Sequence, residues 1–225
     1  MSRSAFDPPF EQLPTTLPIF PLAGVLLLPR GKLPLNIFEP RYLAMFDDAI
    51  RGDRLVGMIQ PCDEGCAHRA KSGNGEPIFP VGCAGRITSF NETEDGRYLV
   101  TLTGLARFHV KDELAMVKGY RRVNVDWSAF QADYQQAGVA PIDRSRLLEL
   151  LQAYFRQQGL SANWDAIESA PDEKLVTSLA MICPFASSEK QALLEATCLK
   201  DRAKVMMALL EIAVATPMDG DDPCH

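Results

Sequence analysis

The chain has 225 residues, 47% of them hydrophobic and 23% charged, which is the composition of a soluble globular protein with one large domain or two smaller ones. Its formal net charge of −6 and isoelectric point near 5.1 argue against sequence-independent nucleic-acid binding, because phosphate contacts need clustered lysine and arginine. A membrane span is not expected either, since the longest apolar stretch, Leu17 to Leu28, contains two prolines and falls well short of the roughly twenty residues that a span requires.

Prolines at positions 18, 21, 29 and 34 divide the first apolar part of the chain. Each proline lacks a backbone N–H and fixes φ, so a continuous helix is excluded here. The pattern instead predicts short extended pieces at sheet edges or bends, namely Ile19-Phe20, Val25 to Leu28 and Leu33 to Ile37.

A helix is predicted from Pro40 onward, because the apolar residues now recur at steps of three and four. These residues are Tyr42, Leu43, Phe46, Ala49 and Ile50. Proline suits the first helical position, where its missing N–H costs nothing, and Glu39 beside it complements the positive end of the helix dipole. Gly52 is expected to end the helix, and Leu55 to Gln60 returns to a strand pattern.

Strand signals continue over the next part of the chain. Val81 to Phe90 and Arg97 to Thr103 flank the turn dipeptide Asp95-Gly96, and alternation continues through Ala106 to Lys111 and Tyr120 to Trp127. Glycines at 82, 85 and 104 indicate bulges or tight corners, which a small closed barrel requires. This half is predicted to be a small curved sheet or barrel with one helix.

Helices follow. Asp143 to Gln158 has apolar residues along one side and stops at Gly159, and a second helix starts at Pro171 or Asp172 and ends at Cys183-Pro184. Ser188 and Gln191 have capping-box spacing for a third helix, and a fourth covers roughly 199–215. Four helices with short connections predict a compact bundle.

The predicted organisation therefore has four parts. They are an N-terminal tail (1–16), a β-rich subdomain (17–128), a helical-bundle subdomain (129–216) and a C-terminal tail (217–225).

Several dispersed motifs support a family resemblance. They are Phe38-Glu39-Pro40-Arg41-Tyr42, then 80–87 (PVGCAGRI), 95–98 (DGRY), 102–108 (LTGLARF), 179–185 (LAMICPF) and 189–195 (EKQALLE). In this order they resemble the N-terminal, substrate-recognition domain of Lon proteases over about residues 17 to 215. The resemblance implies an α+β fold, a PUA-like β pseudobarrel followed by a helical bundle. Cereblon, within a ubiquitin-ligase adaptor, carries a related domain.

The parts that make Lon an enzyme are not found. The Gly31-Lys32 pair has neither the spacing nor the following Ser or Thr of a phosphate-binding loop, and there is no G-x-S-x-G motif. The nearby Ser/Lys pairs, Lys71-Ser72 and Ser188 with Lys190, fit a polar loop and a helix start. The chain thus resembles a free-standing relative of the Lon N-terminal domain, with no catalytic residues and no cofactor.

The resemblance implies weak binding of unfolded or damaged polypeptides, by exposed apolar surface or by strand addition to a sheet edge. The candidate polypeptide-binding residues lie beside the strand-to-helix junction: Phe20, Leu22, Phe38, Glu39, Arg41 and Tyr42. A helix cap and a surface ion pair are the favoured interpretation of Glu39 and Arg41. A separate ATPase or protease is a candidate partner.

Two other functions stay open. One is an ATP-independent peptidase with unidentified catalytic residues, for which Ser188 is the only candidate. The other is RNA binding, known from other PUA-like domains, which the acidic net charge disfavours.

The loop 61–80 is longer than compact domains usually have and holds Cys62, Cys66 and His68, with Cys83 just beyond. These four could bind structural zinc, but the spacing is not common for zinc, and free or redox-active thiols are the favoured interpretation. His109, inside a strand, is expected on the solvent side. The six cysteines are too sparse for a disulfide scaffold and fit reduced thiols, and the N-terminus lacks a signal-peptide pattern, so a cytoplasmic location is expected.

Overall fold

The chain forms a sheet first, with one helix inserted between two of its strands, and a helical bundle afterwards. The computed structural model describes residues 4–62, 75–134 and 141–215. The strands are β1 (Thr16–Pro21), β2 (Lys32–Ile37), β3 (Leu55–Ile59), β4 (Val81–Glu92), β5 (Tyr98–Val117) and β6 (Tyr120–Asp126). The helices are α1 (Pro40–Arg51), α2 (Arg144–Gln157), α3 (Trp164–Ser169), α4 (Asp172–Ile182), α5 (Ser187–Glu195) and α6 (Leu199–Ala215), with 3-10 helices at Phe10–Gln12 and Ser128–Tyr134.

The strands form one mixed sheet in the order β2-β5-β4-β3-β1-β6. β6 also pairs with β5, so five strands close into a small barrel. Among the described residues β2 pairs with β5 alone, which makes it an edge strand. β1 and β3 are parallel, and the other pairs are antiparallel. The predicted α+β fold, a closed barrel with one helix followed by a helical bundle, is confirmed.

Helix α1 forms as its apolar periodicity predicts. It begins at Pro40 and ends at Arg51, with Gly52 as the C-terminal cap residue. Its buried face consists of Tyr42, Met45, Phe46 and Ala49. On the opposite side, the carboxylates of Asp47 and Asp48 accept hydrogen bonds from the hydroxyls of Tyr98 and Tyr120, each at 3.0 Å. The helix is therefore attached to β5 and β6 by polar contacts as well as by its core face.

The segment Val25 to Leu28 differs from the expectation of an extended strand piece. Its leucines are buried, but no strand of the described sheet pairs with it. The segment crosses β5 at Gly104, where a Cβ atom would lie only 2.0 Å from the Leu28 carbonyl oxygen. Glycine is therefore required at this crossing, in keeping with the corner that its position predicts.

The helical half contains one helix that the sequence pattern missed. The six residues of α3 are too few to show an apolar period. The expected end of α2 is confirmed, since Gly159 follows it with a left-handed φ of +62°. The expected cap of α5 is wrong: the helix starts at Ser187, and the Glu189 carboxylate accepts from the Ala186 N–H at 2.8 Å. Gln191 is instead buried and donates to the Val81 carbonyl.

A continuous apolar core crosses the boundary expected near residue 128. It contains Phe46 of α1, Leu151 of α2 and Met206 of α6, all fully buried. A second cluster fills the barrel, around Ile19 and Phe108. The division into two subdomains stays a prediction, because the larger core is common to both.

The residues expected to form an N-terminal tail pack against the sheet from Asp7 onward. Leu13 is buried in the barrel cluster, and Asp7 Oδ1 lies 2.7 Å from Arg86 Nε. The Phe10 ring contacts the Tyr134 ring edge to face, with centroids 5.3 Å apart. This segment thus covers part of the barrel surface.

Candidate functional site

The six candidate polypeptide-binding residues divide into buried and exposed side chains. Phe20 and Tyr42 are each only 7% exposed, and their rings pack together in the core with centroids 4.2 Å apart. Burial raises the pKa of the Tyr42 hydroxyl. Leu22 is partly buried and packs against the same core. These three side chains support the junction, and a bound polypeptide would not reach the two rings without rearrangement.

Phe38 is the exposed aromatic residue of this set, with 62% of its surface accessible. It follows Ile37, the last residue of β2, whose side chain is buried, and successive side chains of an extended chain point to opposite faces. The guanidinium of Arg97 lies 6.0 Å from the centre of the Phe38 ring. Phe38 therefore stands on the outer face of the sheet, next to an arginine.

Leu99 of β5 extends this apolar surface. It is 45% exposed, and its partner in the register is Asn36, two residues before Phe38 on the same face of β2. Diagonal neighbours of this kind lie about 7–8 Å apart, within reach of a large side chain. Phe38, Leu99 and the outer face of β2 together form one exposed surface. We call it the outer-face surface.

Glu39 and Arg41 form the expected surface ion pair. Their charged atoms are 2.8 Å apart, and the Arg41 guanidinium also lies 4.6 Å from the Tyr42 ring centre. Glu39 occupies the cap position of α1 without a side-chain capping hydrogen bond. The ion pair is therefore confirmed, and a side-chain cap is not present.

A groove of about 360 Å³ lies between the start of β2 and helix α4. We call it the α4 groove. Its lining combines apolar and charged side chains, chiefly Arg30, Lys32, Glu173, Lys174, Met181 and Ile182. The sequence pattern missed it because the two lining segments are well separated along the chain and meet only through the fold.

The Ser/Lys pair considered for a peptidase is used structurally. Lys190 is buried, and its ammonium donates to the carbonyls of Gly24 at 2.7 Å and Met181 at 3.3 Å. Burial lowers the pKa of Lys190. Ser188 is exposed near the start of α5, and the neighbouring Ser187 hydroxyl accepts from the Gly24 N–H at 3.3 Å. These contacts fix the 22–24 loop on α5 and give no support to a catalytic pair.

The four candidate metal ligands are only partly described. Cys62 is 5% exposed and disulfide-bonded, which differs from the reduced thiol expected there, and Cys66 and His68 lie outside the described residues. Cys83 is a free thiol inside β4, and burial raises its pKa. Across 4–62, 75–134 and 141–215, no three Cys, His, Asp or Glu side chains are grouped as a metal site requires.

His109 is half-buried on β5. Its imidazole stacks on the ring of Phe130, with centroids 5.0 Å apart and an interplanar angle of 23°. The side chain therefore has a packing role, where a solvent-side position was expected.

The fold defines a class of α+β domains in which a small closed barrel, with an additional edge strand, is followed by a helical bundle. Residues 16–211 match the model of the substrate-binding domain of ATP-dependent protease La (LON). The chain belongs to this family.

Full-length proteins of the family are its relatives. Lon protease 2 of Myxococcus xanthus is 28% identical over 207 residues, covering 89% of this chain and 24% of the relative. Lon protease of Anaeromyxobacter dehalogenans is 25% identical over 203 residues, covering 89% of this chain and 23% of the relative. The chain thus spans about a quarter of these relatives, and the match is to the substrate-binding domain rather than to an ATPase or peptidase module.

Solved structures share the fold. The Lon N-terminal domain protein from Xanthomonas campestris aligns with a TM-score of 0.58 and 23% identity, over 86% of this chain and 98% of that one. The N-terminal domain of the Mycobacterium avium complex Lon protease aligns with a TM-score of 0.59 and 13% identity, over 87% and 98%. In the described part of this chain, no helix has the length and apolar character to cross a membrane.

Proposed function

We propose that this chain is a non-catalytic polypeptide-recognition module that binds apolar segments of unfolded or damaged proteins. The observation that carries the proposal is the position of Phe38, which is largely exposed at the end of the edge strand β2. Membership of the substrate-binding domain family supports it. The expected cytoplasmic location stays a prediction.

The outer-face surface has the physical properties that such a role needs. Phe38 lies between Ile37, which is anchored in the core, and α1, whose core face is buried, so little backbone freedom is lost when a ligand binds. Folded proteins bury their large apolar side chains, whereas unfolded segments expose them. Selectivity for unfolded chains would follow from this difference alone.

The expected affinity is weak. Burying one phenylalanine side chain contributes about 1.5–3 kcal/mol, and Leu99 adds a smaller partial burial. Binding one segment at a time with such an affinity would allow a module to sample many polypeptides and to release them.

The test compares one protein in two states. A reduced and carboxymethylated protein that cannot refold, and its native form, are titrated with the labelled chain and followed by fluorescence anisotropy. The unfolded form should bind and the native form should not. Phe38→Ser should weaken binding about tenfold.

Leu160→Ser is the matched control, because Leu160 is 49% exposed and lies after α2, in the helical half. It should leave the affinity unchanged. Equal binding of the native and unfolded forms, or an unchanged affinity of Phe38→Ser, would contradict the proposal.

The absence of catalysis and the partner are part of the same proposal. Incubation with casein, with and without Ser188→Ala, should give no cleavage; cleavage that Ser188→Ala abolishes would restore the peptidase hypothesis.

A separate ATPase or protease is the partner we propose for delivering bound polypeptide to degradation. It should be retained with the wild-type chain in a pull-down from the native cytosol.

A further inference from the structure

We propose that the α4 groove is a second contact site for the same polypeptide, one that binds an acidic side chain next to an apolar one. This inference rests on the proposed function and specifies its substrate class. The occupant would be an extended segment of a client protein in which a carboxylate adjoins a leucine-like side chain.

The apolar part of the α4 groove is provided by Met181 and Ile182, at the end of α4. A Cβ atom on Gly31 would lie 2.4 Å from the Met181 sulfur, so the glycine allows the methionine to lie directly against the backbone just before β2. Ile182 is 77% exposed at the rim. An apolar side chain entering the groove would cover both residues and gain free energy by leaving water.

The charged part is a pair of lysines. Lys32 and Lys174 are both exposed in the lining, and within the described ranges neither ammonium has an ion-pair or hydrogen-bond partner. Glu173, the one carboxylate that described residues contribute to the lining, is paired with Arg30. The groove therefore has a local excess of positive charge in a chain whose net charge is −6. Charge complementarity selects an acidic ligand.

A neighbouring cavity of about 150 Å³ is lined by two carboxylates of the chain itself, those of Asp7 and Asp133. It shares Arg30 and Lys32 with the α4 groove, and in it Asp7 Oδ1 lies 2.7 Å from Arg86 Nε. Both side chains of this pair are less than 15% exposed. On this side of the barrel one arginine is thus already paired with a carboxylate of the N-terminal segment, whereas Lys32 and Lys174 are left for a ligand.

The α4 groove is also continuous with the outer-face surface. Lys32 begins β2 and Phe38 follows its end. The two residues are an even number of positions apart, so their side chains lie on the same face of the extended chain. At about 3.3 Å per residue, the two are about 20 Å apart along an extended chain. One extended segment can therefore place an apolar residue at Phe38 and an acidic residue at Lys32.

The test uses three peptides of one length, each with the same leucines and aromatic residue. Their variable position, next to a leucine, holds Glu, Gln or Lys. Binding to the chain is measured by fluorescence anisotropy at low and at high salt. The Glu peptide should bind about two- to fivefold more tightly than the Gln peptide for each lysine it engages, and the Lys peptide more weakly. High salt should remove most of this preference.

Lys32→Glu combined with Lys174→Glu should invert the order of the Glu and Lys peptides and leave the affinity for the Gln peptide unchanged. Lys200→Glu, the same charge reversal at a single exposed position in α6, should preserve the order. All three substitutions alter exposed side chains, and thermal unfolding checks that the variants fold.

The outcomes separate the two proposals. Equal binding of the three peptides by the wild-type chain, or a preference for Glu that survives both charge reversals, overturns the α4 groove as an acidic site and leaves polypeptide recognition standing. No binding of any peptide, and none of the unfolded protein, overturns both.

Discussion

The guanidinium of Arg107 holds the carboxylate of Asp133 in two parallel hydrogen bonds, from Nε to Oδ2 at 2.9 Å and from Nη2 to Oδ1 at 2.8 Å. Its remaining nitrogen, Nη1, donates to the carbonyls of Leu194 at 3.0 Å and Ala196 at 2.7 Å, at the end of α5. A single buried side chain therefore joins β5, the 3-10 helix 128–134 and the helical bundle.

A second arginine completes this contact. Arg202 of α6 donates from Nε to the Leu193 carbonyl at 2.8 Å, and burial, together with the nearby charge of Arg107, lowers its pKa to about 10. The last carbonyls of a helix have no partner within the helix. Two arginines supply the missing donors at the end of α5, so the barrel and the bundle are joined by polar contacts as well as by the core.

Replacing Arg107 should therefore destabilise the whole chain. In Arg107→Met the buried Asp133 carboxylate keeps the backbone N–H of residue 107 as a donor, at 3.0 Å, but loses the guanidinium, and the two carbonyls lose their side-chain donor. We expect the substitution to lower the free energy of unfolding by about 3–5 kcal/mol in a urea titration. Arg146→Met is the control, because the ion pairs of Arg146 with described residues, those with Glu149 and Glu211, are exposed. A loss no larger than that of the control would contradict the structural role of Arg107.

Gly104 should tolerate no side chain. In Gly104→Ala the new Cβ would meet the Leu28 carbonyl oxygen at 2.0 Å and the Pro29 Cα at 3.2 Å, and these are backbone atoms that cannot rotate away. We expect a loss of about 3 kcal/mol or more in the free energy of unfolding.

The control for this prediction is Gly96→Ala. Gly96 has open space around its Cβ position but a left-handed φ of +79°, so only backbone strain of about 1 kcal/mol is expected. If Gly104→Ala and Gly96→Ala lower the free energy of unfolding by the same amount in a urea titration, the close approach of Leu28 to Gly104 is not the cause of the loss in Gly104→Ala.

The contact between Asp48 and Lys118 predicts a pH effect. The hydrogen bond from the Lys118 ammonium at 2.6 Å, with a second one from the Tyr120 hydroxyl, lowers the pKa of the Asp48 carboxyl. Because the folded-state pKa lies below the unfolded one, Asp48 contributes stability at neutral pH that is lost as the pH falls through the folded-state pKa.

Lys118→Ala should raise the pKa of Asp48 toward its ordinary value, as measured by carbon-detected NMR titration of the carboxyl. The stability difference between the wild-type chain and this variant should be present at neutral pH and should shrink as the pH falls. Lys200→Ala, at an exposed lysine of α6, should leave the Asp48 titration unchanged. An unmoved Asp48 titration in Lys118→Ala would show that the lysine does not engage it in solution.

Local signals in the sequence were sufficient for the elements that depend on nearby residues. Pro40 and Gly52 delimit α1, and Asp95-Gly96 predicts the β4–β5 hairpin, in which the Thr93 N–H donates to the Arg97 carbonyl at 2.9 Å. Turn chemistry and helix ends are determined within a few residues, so they can be derived from one sequence.

The site was harder to predict, because its geometry depends on contacts between distant segments. Phe20 was expected to bind polypeptide, but β1 lies in the middle of a closed sheet between β3 and β6, and the ring packs under α1. The α4 groove requires Gly31 to meet Met181, and no local pattern connects these two residues. Among the six candidate polypeptide-binding residues, only Phe38 has an exposure that follows from strand alternation, because it comes directly after the buried Ile37.

The open edge of β2 allows a last prediction, about strand addition. The Gly104 N–H donates to the Gly31 carbonyl at 2.8 Å, and this register directs the backbone groups of residues 33, 35 and 37 toward β5. The backbone groups of Lys32, Pro34 and Asn36 therefore face the open edge of β2. Pro34 has no N–H to offer at the centre of this edge, and prolines at such positions protect edge strands from pairing with other chains.

Pro34→Thr should restore that donor without altering the core, because the Pro34 side chain is exposed. Each new backbone hydrogen bond to an incoming strand adds about 0.5–1.5 kcal/mol. In sedimentation equilibrium, the average mass of the variant should therefore rise more steeply with concentration than that of the wild-type chain. Pro40→Ala is the control, since the N–H it restores lies at the first position of α1, where helices need no such donor. If Pro34→Thr sediments like the wild-type chain, Pro34 is not what keeps this edge free, and bound polypeptides could add to it as a strand.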